Sequence, residues 1–109
     1  MKWVVEIMKT TSAEKTYIAR IADMPCCICS MFPVTVHHIR TGMGMGQKAS
    51  GFKTIPLCPD HHQNGGHGVA LHAGQKTWEA KFGRELDICR TIQQTMMRNG
   101  VDVPLDQRV

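Results

Sequence analysis

Ile55-Pro56-Leu57-Cys58-Pro59-Asp60-His61-His62 decides the reading of this chain. A short apolar run ends in Cys58-x-x-His61, and an earlier turn carries Cys26-x-x-Cys29. Two residues between ligands let a tight turn aim both side chains at one point. Two such turns supply a tetrahedral shell for Zn²⁺, here three thiolates and one imidazole (Cys₃His). The metal deprotonates the thiols, and its binding free energy becomes folding free energy. That suits a chain of 109 residues, whose single core is thin.

The other ligand-bearing residues cluster around the same stretch. All six His lie between His37 and His72, and four of the five Cys lie between Cys26 and Cys58. An odd number of Cys and a Cys-x-x-Cys pair argue against a disulfide scaffold. Cys27 would leave only one residue before Cys29 and is passed over as a ligand. Cys89 is expected to pack in the last helix. No apolar run approaches the ~20 residues of a membrane span. Met1 to Glu6 has almost no apolar region, so no signal peptide is expected. A net charge of +4 permits a polyanionic partner.

The fold expected is α+β. Residues 1–10 read as an N-terminal arm with weak strand-like alternation. Thr11-Ser12-Ala13-Glu14 fits a capping box, and Tyr17, Ile18, Ile21 and Ala22 follow at helical spacing up to Pro25. Val34 to Ile39 and Phe52 to Leu57 read as strands joined by a Gly-rich loop over 41–51. Residues 73–82 and 87–99 read as helices, the second with Ile88, Ile92 and Met96 on its apolar face. One domain is expected, with a core over 11–84, a C-terminal helix within 85–100 and a tail over 101–109.

His37-His38 sits at a strand end. Adjacent strand residues point to opposite faces, so the two imidazoles do different jobs. A strand His joined by two His from a loop and a helix start can hold one divalent cation with positions left open, as catalytic sites require. The other strand His is then free to act as a base, with a pKa near neutrality.

Cys26-x-x-Cys29, His37-His38-Ile39-Arg40 and the Ile55–His62 stretch resemble the HNH (ββα-metal, His-Me finger) endonucleases. HHIRTGMGMGQKAS, IPLCPDHH and ALHAGQKTWEAKFG resemble more narrowly the phage Ref-type proteins, described as RecA-dependent recombination-enhancement nucleases. The resemblance covers about Thr11 to Arg84. It implies a small ββα-metal core with a zinc knuckle, flanked by an N-terminal helix and one or two C-terminal helices. It implies that His37, His62 and His72 hold a catalytic cation (Mg²⁺, Mn²⁺ or Zn²⁺) and that His38 is the general base. His67 either replaces one of these ligands or sits in a variable turn. Cys26, Cys29, Cys58 and His61 would hold the structural zinc. The central Asn of the family would fall near Lys53 or Thr54, and neither is Asn. The implied setting is the bacterial cytoplasm, with a phage- or prophage-encoded enzyme acting on DNA, with a RecA filament as partner.

The reaction expected is metal-assisted phosphodiester hydrolysis, with Arg40 pairing a phosphate oxygen or forming a plain surface ion pair. Lys48, Lys53, Lys76, Lys81 and Arg84 flank the site and would make salt-sensitive phosphate contacts. Gln47 and Lys48 either touch the DNA backbone or sit on a plain connection. Lys76 and Lys81 either join them or form the solvated face of a helix whose Trp78 and Phe82 pack inward. The competing function is a non-catalytic zinc module that binds DNA or protein. It needs the knuckle but not the further His.

Overall fold

A computed structural model describes residues 11–44 and 48–109. The expected N-terminal arm and Gln47 lie outside the described residues. Helix α1 (Ser12–Ala22) opens on the capping box read from the sequence. The Thr11 hydroxyl accepts from the Glu14 amide at 3.1 Å, and the Thr11 amide donates back to the Glu14 carboxylate at 3.2 Å. The other oxygen of Glu14 accepts from the Gly51 amide at 2.7 Å. That contact brings Gly51 so close to α1 that a Cβ there would lie 2.8 Å from Ile18 Cδ1. A side chain at 51 would therefore push the loop off the helix.

Strands β1 (Thr35–His38) and β2 (Thr54–Leu57) pair antiparallel, with His37 opposite Ile55 and His38 opposite Thr54. They are shorter than the sequence suggested. One more bond continues the ladder, from Ile39 N–H to the Lys53 carbonyl at 3.0 Å. After it the Arg40 and Thr41 amides turn away from the sheet to a carboxylate, that of Glu85. Every residue of β2 is buried, because α1 and the C-terminal helix both pack on it. Pro56 lacks a ladder donor, but its carbonyl accepts from Cys27 N–H at 3.0 Å, which fastens the first Cys turn to the sheet.

The helical part after the strands is divided. A single π turn covers Asp60–Asn64, closed by Gly65 N–H on the Asp60 carbonyl at 2.9 Å. A 3₁₀ turn, Leu71–Ala73, comes next, and only then α2 (Gln75–Phe82). The helix expected from residue 73 thus starts at Gln75. Gly74 is extended there, and a Cβ on it would lie 2.8 Å from the His67 ring.

Helix α3 (Glu85–Arg98) begins two residues before the expected 87. Its buried face is Glu85, Cys89, Ile92, Gln93 and Met96, whereas Ile88 is only half-buried. Two polar residues therefore occupy positions that an apolar reading assigns to solvent. The Gln93 amide donates to the Phe52 and Gln107 carbonyls and accepts from Val109 N–H, which docks the tail on the helix. Tyr17, Ile21, Ile39, Phe52, Ile55, Leu57, Leu71, Trp78, Cys89 and Val103 form one buried cluster under all these elements. Among the described residues no helix is long and apolar enough to cross a membrane.

Candidate metal centres and the adjoining cleft

The two turns read as a knuckle come together. Cys26, Cys29, Cys58 and His61 place one ligand atom each in a single group. Cys29 Sγ lies 3.6 Å from Cys58 Sγ, and His61 Nδ1 lies 3.2 Å from Cys58 Sγ and 3.9 Å from Cys26 Sγ. Ligands at the usual Zn–S and Zn–N lengths in a tetrahedron stand about 3.5–3.8 Å apart, so the group fits a Cys₃His zinc shell. The first turn favours thiolate at Cys26. Burial pushes the Cys26 thiol up, but the amides of Cys58, Cys29 and Ile28 outweigh it and hold the thiol below its ordinary range. Cys27 is exposed and outside the group, and Cys89 is buried with its thiol toward the Thr54 carbonyl.

The second group is made of His37, His62 and His72. His37 comes from β1, His62 from the π turn and His72 from the 3₁₀ turn, not from the helix start expected. His37 Nδ1 lies 3.2 Å from His62 Nε2, which lies 3.0 Å from His72 Nε2. Two nitrogens at ordinary metal–nitrogen lengths from one ion are about 3.0 Å apart at a right angle, so the spacing fits a shared divalent cation.

Hydrogen bonds behind the rings decide which nitrogens offer lone pairs. The Thr35 hydroxyl lies 3.0 Å from the Leu57 carbonyl, which only accepts. The hydroxyl proton points there, and His62 Nδ1–H donates to Thr35 Oγ1 at 2.7 Å. His62 Nε2 is thus bare. His37 Nε2 lies 2.8 Å from Glu85 Oε1. Burial alone would raise the Glu85 carboxyl, but hydrogen bonds from His37, Thr41 and the Arg40 and Thr41 amides hold it down to about 2. An ionised carboxylate only accepts, so His37 carries a proton on Nε2, and in the neutral ring, the form that can ligate a metal, its Nδ1 is bare as well. Two lone pairs facing each other at 3.2 Å repel unless positive charge lies between them. Burial, then the neighbouring His37 and His72, lowers His62 to about 4, and burial followed by His37 and Arg40 lowers His72. His62 and His72 are therefore neutral imidazoles at pH 7, the form that binds metal.

A family model described as "Protein of unknown function (DUF968)" matches residues 6–100. The chain belongs to this family. It is also similar to "Uncharacterized protein YdfU" of Escherichia coli (strain K12), 32% identical over 77 residues, which are 69% of this chain and 20% of that protein. The chain thus spans about a fifth of the length of that curated relative. No solved structure matches.

In this DUF968 chain the three-imidazole group borders a cleft of about 260 Å³, lined by His37, His38, Arg40, Lys48, His62 and His72 among others, whereas Cys29, Cys58 and His61 line a separate pocket. His38 is half-buried and stays outside the three-imidazole group. Burial, then Lys48 and His37, lowers its pKa against the opposing pull of Glu14. Arg40 is exposed and has no ion pair among the described residues.

Other expected positions lie elsewhere. His67 is exposed, and its Nδ1 faces the Ala73 carbonyl at 3.3 Å, so it braces the turn beneath His72 and joins neither group. Lys53 and Lys76 are absent from the cleft lining: the first immediately precedes β2 and the second is an exposed residue of α2. Lys81 lies over the Phe82 ring and Arg84 pairs with Asp87. The sequence reading missed Glu85 and Thr35. An acidic residue in the first turn of a helix ordinarily reads as a partner of the helix dipole, and a strand Thr carries no ligand signal.

Proposed function

We propose that this chain is a metal-dependent endonuclease of the HNH (ββα-metal) type that hydrolyses DNA phosphodiester bonds. The observation that carries the reading is the convergence of His37 Nδ1, His62 Nε2 and His72 Nε2, with a fourth imidazole, His38, on the same cleft and outside that set. A purely structural zinc module has no use for this second group. The resemblance to Ref-type proteins supports the same assignment, with the bacterial cytoplasm as setting and a RecA filament as partner.

His37, His62 and His72 would hold a divalent cation there, and it would supply the positive charge that stabilises the phosphate in the transition state. The protein does the rest. His38 is neutral at pH 7 and accepts a proton from the attacking water through a bare ring nitrogen. The water oxygen bonds to phosphorus, the bond to the 3′ oxygen breaks, and that oxygen takes a proton from solvent. Arg40 and Lys48 flank the same cleft and hold the phosphate backbone. Thr54 stands opposite His38, near where the family places its central Asn, and donates to the Gly51 carbonyl at 2.9 Å. It thus ties down the loop end rather than the base.

The test is a cleavage assay on supercoiled, nicked, linear, single-stranded and strand-invasion DNA, with the zinc-loaded protein in Mg²⁺, Mn²⁺ or Zn²⁺, with and without RecA. Cation-dependent cleavage that disappears in His38→Ala is expected. Absence of cleavage under every condition overturns the reading.

A further inference from the structure

We infer that Glu85 is a positioning residue: from the first turn of α3 it fixes His37 in the Nε2–H tautomer and so turns the Nδ1 lone pair toward His62 and His72. The inference rests on the ion site proposed above, and it adds a residue that no ligand motif contains.

Glu85 is fully buried, and its carboxylate is divided between two tasks. Oε1 accepts from His37 Nε2 at 2.8 Å. Oε2 accepts from four donors: the amides of Arg40 at 2.8 Å and Thr41 at 2.7 Å, the Thr41 hydroxyl at 2.7 Å and Gln75 Nε2 at 2.9 Å. One side chain therefore connects α3, β1, the start of the Gly-rich loop and α2. It sets the ring angle of His37 and holds the backbone that carries Arg40 into the cleft. A carboxylate behind a metal-binding imidazole is a recurrent arrangement, and removing one typically costs about 10–100-fold in metal affinity.

The uneven division makes Glu85→Gln a sharp test. An amide has one accepting atom and one donating atom. Four donors surround the Oε2 position, so the Gln carbonyl must sit there and its NH₂ must face His37. His37 Nε2 is then obliged to accept, and the ring proton moves to Nδ1, the atom aimed at His62. Glu85→Asp keeps a carboxylate and retracts it by one methylene.

The tautomer of His37 is read by ¹⁵N NMR on zinc-loaded protein at pH 8, and Mn²⁺ uptake by the same samples is read by titration calorimetry. The wild type is expected to carry its proton on Nε2. Glu85→Gln is expected to carry it on Nδ1 and to bind Mn²⁺ about 10–100-fold more weakly with its knuckle zinc retained. Glu85→Asp is expected to keep the Nε2 proton and lie between. A proton on Nδ1 in the wild type overturns the inference even if Glu85→Gln does not fold. So does a folded Glu85→Gln protein that keeps the wild-type tautomer and affinity. An Nε2 proton in a wild type that takes up no Mn²⁺ keeps the positioning role and overturns the ion site instead.

Discussion

Replacing Cys29 by Ser isolates what the knuckle contributes. Cys29 is exposed, so the change opens no cavity and its effect comes from the lost thiolate. Structural zinc in small domains binds with about 10–16 kcal/mol, and an equal share for one ligand of four is about 2.5–4 kcal/mol. Unfolding entropy is about 2.1 cal/mol/K per residue, which gives about 0.23 kcal/mol/K for this chain of 109 residues. Cys29→Ser should therefore lower Tm by about 11–17 °C. The consequence should also reach the second centre, because His61 and His62 are neighbours on one π turn and serve different groups. Loosening His61 frees His62 from Thr35 and from the other imidazoles. Differential scanning calorimetry gives Tm, and Mn²⁺ titration of the same sample gives the affinity of the imidazole group. A variant that melts within about 3 °C of the wild type, with unchanged zinc content, would refute the role given to the knuckle.

Three further outcomes are expected. His38→Ala should keep its zinc and its Mn²⁺ affinity but lose cleavage by about 100-fold or more, and retained cleavage removes His38 from the mechanism. Arg40→Ala and Lys48→Ala should each weaken binding to DNA of any sequence and reduce the salt slope by about one, measured by fluorescence anisotropy across salt concentrations. Glu14→Gln addresses pH. The hydrogen bond from Gly51 N–H outweighs burial and holds the Glu14 carboxyl below its ordinary range. Its stabilising effect is thus present above the usual carboxylate range and lost as pH falls through the lowered value. Urea unfolding should show wild type above Glu14→Gln by about 1 kcal/mol at pH 7, with the gap closing toward pH 3. A gap independent of pH contradicts this.

The readable parts of this chain are those in which a short spacing constrains geometry. Cys26-x-x-Cys29 and Cys58-x-x-His61 predict a four-ligand group, and the four atoms do meet. Thr11 and Glu14 predict a cap, and both of its bonds are present. The adjacent His pair on a strand predicts one imidazole inside a cluster and one outside it, as the positions of His37 and His38 have it. What stayed hidden depends on contacts between distant elements. Glu85 and Gln93 look like surface residues of an amphipathic helix. They are buried because one satisfies the amides at the end of β1 and the other satisfies carbonyls before β2 and in the tail. The helical segment divides at Gly74, whose extended backbone lies where a Cβ would meet the His67 ring, a feature that periodicity does not register. The lysines were grouped by sequence proximity, whereas the cleft selects Lys48 and leaves Lys53 and Lys76 aside.

X-ray absorption on protein loaded with zinc and then with one equivalent of Mn²⁺ reads the two centres separately, each at its own element's edge. Three imidazoles sharing an ion predict a manganese shell of nitrogen and oxygen with histidine ring scattering and no sulfur, beside a zinc shell that keeps its sulfurs. Manganese without histidine scattering, or manganese bound to sulfur, would contradict the convergence on which the nuclease reading stands.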